Sequence, residues 1–448
     1  MPAGYPHALP ADQGRCLAGQ TSGAGMGKAG APALTDGRDV MRGYGIRVGA
    51  FFAALCLIYG VHLPYLPLWL EWRGLSADEI ALVTSAPLFL RLLATPTLAY
   101  VADRRAAHST MIMQLAWTGL IAALVLSQMT GFLAILIVAL LLAIATSTIM
   151  PLAETVAISG VRRGLDYGRM RLWGSLSFIA ASFVGGAVVD WAGRAAGIWL
   201  VVAGCVATVT AAYALPLSSG ESARRRRPAA RVADDTLDLP MPEVTPSRGI
   251  DRATVLRLAS NPLFLLFLLA IGMVQAAHST FYTFGAIHWR SGGLSSAWIG
   301  TLWAIGVLAE VLLFAMSGRV VAWLGPLQLI LAGAVAAVVR WVVMSMDPTL
   351  VWLVPLQVLH GLTYGASHLG AIHFISRAVP EEAGGTAQAL YSALAAGVLQ
   401  GMATLLSGAL YARYGGLTYL AMALLASIGL VAVLVLQRGW NGRRLWEA

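Results

Sequence analysis

Long apolar runs separated by short polar segments dominate the chain from about residue 45 onward. Twelve of them reach the roughly 20 residues that a helix needs to cross a bilayer: 46–70, 78–101, 109–129, 131–159, 170–191, 196–216, 262–286, 297–317, 326–346, 350–376, 384–411 and 417–437. Hydrocarbon offers the backbone no hydrogen bonds, so such runs predict α-helices that close their bonds internally. The expected architecture is an all-α integral membrane protein with twelve transmembrane helices in two six-helix bundles. The bundles are expected at 44–216 and 261–438, with a cytoplasmic linker at 217–260 and a tail at 439–448. Residues 1–43 are rich in Gly, Ala and Pro and predict a disordered extension. No apolar h-region precedes the first run, so no secretory signal peptide is expected, and Met26 and Met41 are alternative expected translation starts.

The linker contains Arg224 to Arg227, acidic residues and several prolines, a composition for a flexible tether. Its last part, Ile250 to Ser260, has the pattern of a short amphipathic helix on the membrane surface. The two halves share a weak repeat: Gly74-Leu75-Ser76 with Ile80 recurs as Gly293-Leu294-Ser295 with Ile299, an offset of 219 that also carries Arg91 onto Glu310. Parallel repeats of this kind occur in transporters built from two related halves.

Composition sharpens the class. The chain is 58% hydrophobic and 11% charged, against about 25% charged in a soluble domain. Its net charge of +9 lies in segments between the apolar runs, which excludes a compact nucleic-acid surface. With the N-terminus inside, 24 Lys and Arg fall in inside segments and 4, Arg73, Arg194, Arg290 and Arg413, fall outside. That asymmetry predicts two cytoplasmic termini in a bacterial-type inner membrane. Cys16, Cys56 and Cys205 have no metal or disulfide spacing, so no metal and no cofactor is expected. No Walker loop, GxSxG or HExxH is present, so ATP-driven work and enzymatic chemistry are not expected.

Ionisable groups at bilayer depth cost several kcal/mol in lipid, so each needs a cavity or a partner. The deep set is Arg91, Glu154, His278, Glu310, Arg340, His360, His368 and His373, the last nearer the cytoplasmic end and read as a solvated terminus. Arg91 and Glu310 lie at equivalent depth in the two halves. Either Glu310 exchanges a proton while Arg91 meets a substrate carboxylate, or the two form a permanent ion pair. Burial favours a neutral carboxyl and a neighbouring arginine favours the carboxylate, so a balanced site titrates near neutrality. His278 is read either as a proton shuttle or as a core histidine bonded to a backbone carbonyl. His360, Gly361, Tyr364, Gly365 and His368 follow four- and three-residue spacings that share one helix face, with Gly361 and Gly365 as GxxxG. Glu154 follows Pro151, which can kink its helix, and is read either as lining a cavity or as approaching the cytoplasmic boundary. Arg340, followed by Trp341, is read as either cavity-facing or snorkelling to the outer interface. Tyr282, Trp303 and Tyr391 are the candidate aromatic contacts.

Two loop segments carry charge. Asp103 and Arg104, in Ala99-Tyr-Val-Ala-Asp-Arg104, resemble the Gly-x-x-x-Asp-Arg loop of the major facilitator superfamily, with Ala99 in place of the Gly. The second segment, Leu165 to Ser175, includes Asp166, Arg169 and Arg171 and is similar to the phenylpropionic acid permease branch of that superfamily. So are Gln275-Ala276-Ala277-His278, Leu302 to Glu310, Val339-Arg340-Trp341 and Gln357-Val358-Leu359-His360. The resemblance runs from about residue 45 to 435. It implies the major facilitator fold, a cytoplasmic gate at Asp103, Arg104, Asp166, Arg169 and Arg171, and proton-coupled uptake of aromatic carboxylic acids. Nucleoside and oligosaccharide symporters are similar too.

The function expected from the sequence is secondary active transport by alternating access, with a small-molecule substrate and a proton as partners, in a monomer embedded in the bilayer. A nucleoside or sugar symporter, a drug or sugar exporter, and a non-transporting scaffold of the same fold are the alternatives.

Overall fold

The computed structural model describes residues 35–105, 107–162, 164–215 and 252–446. The expected translation starts, the Arg224 to Arg227 run and most of the linker lie outside them, save Met41. From Met41 onward the chain forms one compact unit. Its first half contains α1 (Thr35–Trp72), α2 (Ala77–Arg105), α3 (His108–Gln128), α4 (Phe132–Val161), α5 (Tyr167–Ala192) and α6 (Ala196–Ala214). A short helix, Arg252–Ser260, covers most of the expected surface segment and precedes the second half. There follow α7 (Pro262–Ser291), α8 (Ser296–Ala315), α9 (Pro326–Met344), α10 (350–378), α11 (381–414) and α12 (Thr418–Gly439).

Among the described residues, ten stretches are long and apolar enough to span a bilayer. One of them, Glu381–Gly439, holds two crossings that reverse at Gly415, and α10 is made of shorter pieces that together supply the twelfth. No strand occurs among the described residues. Helix α1 begins at Thr35, inside the stretch expected to be an extension. No proline lies between Pro32 and Pro64, so the backbone continues the helix upstream of the apolar run.

The repeated Gly-Leu-Ser is a helix stop followed by a helix start. Gly74 and Gly293 sit at φ +86° and +92°, a left-handed conformation that glycine adopts without strain. Leu75 and Leu294 then donate their amides back to Leu70 and Trp289. Ser76 and Ser295 cap the next helices: the Ser76 hydroxyl accepts from the Glu79 amide, and the Ser295 hydroxyl from the Trp298 amide. Glu79 accepts in turn from the Ser76 amide at 2.8 Å, completing a capping box.

Two pairs of helices join the halves: α5 runs along α8, and α2 runs along α11. The α5–α8 contact is backbone against backbone. A Cβ at Gly186 or Gly300 would strike the Ser296 or Ser182 carbonyl, respectively. Without a hydrophobic driving force between helices in lipid, close approach of small residues supplies the packing.

A Cβ at Gly74 would have open space around it, so substitution there tests backbone conformation alone. Gly74→Ala is expected to cost about 1–2 kcal/mol, read as a lower melting temperature in detergent. Gly74→Asn is expected to cost less, and equal melting of the two variants would refute the left-handed turn.

Candidate functional site

A cavity of about 680 Å³ lies between the halves, walled by α1, α2, α4 and α5 on one side and α7, α8, α10 and α11 on the other. Buried positions on α2 run from Ile80 to Ser85 and resume only at Ala102, while those on α8 stop at Gly306. The cavity is therefore shut at the end with the two Gly-Leu-Ser turns and open toward the end with Asp103 and His108.

The second half supplies a continuous polar network. Glu310 on α8 lies 2.8 Å from Nε2 of His360 on α10. Arg340 on α9 donates from one Nη to His360 Nδ1 at 3.0 Å and to Thr363 Oγ1 at 3.2 Å, and from the other to Gln357 Oε1 at 2.8 Å. Guanidinium only donates, so His360 Nδ1 must accept. The imidazole proton then sits on Nε2 and is donated to the Glu310 carboxylate. Arg340 thus sets the tautomer of a histidine that in turn holds the cavity's carboxylate.

Arg340 is wholly buried, with its guanidinium 4.9 Å from the Phe281 ring and 4.6 Å from the Trp341 ring. The snorkelling alternative is therefore corrected: the side chain turns inward, where three acceptors and an indirect countercharge meet it. His278 sits at a break in α7 between Pro262–Ala276 and Ser279–Ser291. Its Nδ1 lies 3.1 Å from the Val274 carbonyl and 3.2 Å from that of Gln275, and its Nε2 lies 3.0 Å from Thr363 Oγ1. The carbonyl-bonded core histidine and the network histidine are thus one and the same arrangement.

On α10 the expected four-residue stripe forms, through a device the spacing does not show. A four-residue step in an α-helix overshoots a full turn by about 40°. A π-helical segment, Gly361–Ala366, takes back that drift with its wider turn. His360 and Tyr364 stack at 5.6 Å and 17°, and Tyr364 and His368 at 6.0 Å and 13°. His368 Nδ1 then meets the Tyr391 hydroxyl of α11 at 3.0 Å.

Arg91, Arg171, Glu310, His360, His368, Tyr282, Trp303 and Tyr391 all line the cavity. Trp303 stacks on Phe281 at 4.8 Å, making an aromatic wall. Glu310 bonds to His360, and Arg91 donates to the Ala396 carbonyl of α11, so the Arg91–Glu310 ion pair does not form. Arg171, expected at a cytoplasmic gate, is on the cavity wall instead, with Nη1 3.8 Å from the Cys56 sulfur and its guanidinium 5.5 Å from the Phe52 ring. It lies in the second turn of α5, past the loop. Glu154 lies on α4 beside Tyr167 and Arg171, off the cavity wall.

The remaining gate candidates lie off the cavity wall. Asp103 pairs with His108 at 2.7 Å, Arg104 is exposed, and Asp166 caps α5 by accepting from the Arg169 amide, with the Arg169 guanidinium 3.7 Å away. Tyr59 and His62 also line the cavity and escaped the sequence reading, as did Thr363 in the network, while Gln275 on the wall and Gln357 in the network entered it only as parts of resembling stretches. For α1 a signal existed: Cys56, Tyr59 and His62 recur at three-residue spacing, which puts them on one face.

A family model described as "MFS_1 like family" matches residues 50–421. A curated relative, the "Probable 3-phenylpropionic acid transporter" of Escherichia coli (strain K12), is 29% identical over 82% of this chain and 91% of its own length. The maltose permease of Geobacillus stearothermophilus is 27% identical over 87% and 93%. Among solved structures, the nucleoside transporter NupG has a TM-score of 0.72 at 17% identity, covering 89% of this chain and 99% of its own. A bacterial homologue of the human lysosomal transporter Spinster has 0.66 at 14%, covering 93% and all of its own. At these identities the structural likeness establishes the fold.

Gln357→Leu would strip one Arg340 nitrogen of its acceptor inside the bundle. The expected loss is about 1–3 kcal/mol, seen as a lower melting temperature in detergent. An unchanged melting point would show that Arg340 does not depend on this acceptor.

Proposed function

We propose, from the premise that this chain belongs to the MFS_1 like family and is therefore a multi-pass membrane transporter, that it couples inward proton movement to uptake of a small aromatic carboxylic acid. The proposed setting is an inner membrane with both termini in the cytoplasm. The cavity would then be open inward.

The observation that carries this reading is the charge around the cavity. Two guanidinium groups, Arg91 and Arg171, stand on the first-half wall. Among the described residues, the one carboxylate that lines the cavity is Glu310, already held by His360 on the opposite wall. An anionic cargo is favoured there, and a planar guanidinium grips a carboxylate with paired bonds. Phe281, Trp303 and Tyr282 offer ring faces for an aromatic body. A neutral sugar would leave Arg91 without a counterion in a site of low dielectric. The relative described as a 3-phenylpropionic acid transporter supports the same cargo class.

Glu310 is the proposed proton carrier. As a carboxylate it accepts the His360 N–H and offsets the Arg340 charge through that ring. Once protonated it no longer attracts the imidazole, so the network loses its countercharge while the substrate brings one to Arg91. Proton and anion thus enter as a neutral pair, which lowers the barrier for the loaded cavity to change access. Rocking of the halves then exchanges the closed end.

Two experiments in proteoliposomes test this. Glu310→Gln is expected to abolish uptake driven by a pH gradient while leaving substrate counterflow intact, and pH-driven uptake by the variant would exclude Glu310 as carrier. Arg91→Ala is expected to weaken binding of an aromatic acid on the order of tenfold to a hundredfold, the effect of one charged hydrogen-bonding group. Unchanged affinity would remove Arg91 as the carboxylate anchor.

A further inference from the structure

At the shut end of the cavity, one side chain of the first half completes a helix of the second. Asp190, near the end of α5, accepts the Ser296 amide on Oδ1 and the Ala297 amide on Oδ2, each at 2.8 Å. These are the first two amides of α8, which have no partner within their own helix. The third, Trp298, is taken by the hydroxyl of Ser295. Two of these three orphan donors of α8 are therefore satisfied from across the interface. Negative charge at this terminus also complements the helix dipole.

Several features converge on that contact. Arg290, at the end of α7, lies 3.0 Å from Asp190 Oδ1. Among the described residues this is the ion pair that joins the halves, the others lying within one half. Gly186 lets the two backbones touch one helical turn before Asp190. The Tyr65 hydroxyl bonds to the Ser182 carbonyl at 2.5 Å and lies 3.3 Å from that of Ser296. The same helix α8 then runs inward to Trp303 and Glu310.

We propose that Asp190 is the positioning residue of the outer gate. Its carboxylate caps α8 of the opposite half whenever the cavity is shut at that end, and is released to water when that end opens. The strength of this cap sets how the transporter divides its time between its two open forms. This rests on the alternating-access reading and adds to it a residue that touches neither the cargo nor the proton.

The test uses the full chain with Cys16, Cys56 and Cys205 replaced by Ser and one new cysteine, Thr84→Cys, on the cavity wall near the shut end. In intact cells a membrane-impermeant maleimide reports opening of that end, with no substrate required. Asp190→Ala is expected to raise the labelling rate threefold or more, and Asp190→Glu to restore part of the closure. Ser296→Pro is the second variant. Proline is tolerated at the first helical position, and Ser295 already has the extended backbone that a following proline favours. It removes one amide donor and puts the ring Cδ where the Asp190 carboxylate is held, while Arg290 itself stays in place, so faster labelling is expected here too. Unchanged labelling in both Asp190→Ala and Ser296→Pro overturns the proposal. So does a rise that Arg290→Ala reproduces in full while Ser296→Pro stays at the parent rate, since ion pairing alone would then hold the gate. If the parent transports no aromatic acid, the cargo reading fails while the labelling result stands on its own.

Discussion

A guanidinium with no route to water constrains the whole second half. Arg340 is wholly buried in an apolar bundle, where an unpaired charge would cost several kcal/mol. Its fork must find oxygen and nitrogen acceptors at fixed angles, and three side chains provide them. Each acceptor draws in a further demand. His360 can accept only by turning its N–H toward Glu310, and Thr363, having accepted from Arg340, is left to donate to His278. His278 can reach Thr363 because α7 breaks beside it. A buried ion network adds little net stability compared with an apolar core. Its presence therefore makes better sense as a means of holding a carboxylate at the cavity edge in one orientation.

The first half is built differently. Its cavity-facing charges are cationic: Arg91 is held by one backbone carbonyl of α11, and Arg171 by a thiol, an aromatic face and Tyr167. The two walls thus divide the work. One wall is rigid and balances its own charge, and the other presents positive charge with donors to spare. Helix α8 ties this division to the interface between the halves, because a single rod bears the capped amides at one end and the carboxylate farther in.

Depth was legible in the sequence, and direction was not. The apolar runs located the crossings, and the offset of 219 located the matching turns, because the turn needs glycine and a capping serine whatever surrounds it. The equal depth of Arg91 and Glu310 was likewise readable, and of the two readings it left open the permanent ion pair does not form. In a soluble helix polar residues mark the outer face. Here lipid is as apolar as the packed interior, so the pattern does not say how a helix is rotated. Arg340 shows the problem most clearly: its position beside Trp341 suits an interfacial anchor as well as a core residue. Arg171 was assigned to the loop by its neighbours Asp166 and Arg169, although one further turn of helix brings it to the cavity. The resemblance to phenylpropionic acid permeases selected Gln275, Gln357, Arg340 and His360 as stretches of sequence, without indicating that they meet.

The π-helical segment of α10 has an evolutionary corollary. The alignment of His360, Tyr364 and His368 depends on one surplus residue within a turn, and no side chain encodes it. Loss of any single residue between 361 and 366 would tighten the turn to α-helical winding and swing every later side chain by about 100° about the axis. His368 would leave the cavity wall and another residue would take its place. Relatives that handle different cargo can therefore diverge by a one-residue gap in this helix as readily as by exchanging the residues that touch the cargo, and an alignment forced to run ungapped through it would pair residues that occupy different faces.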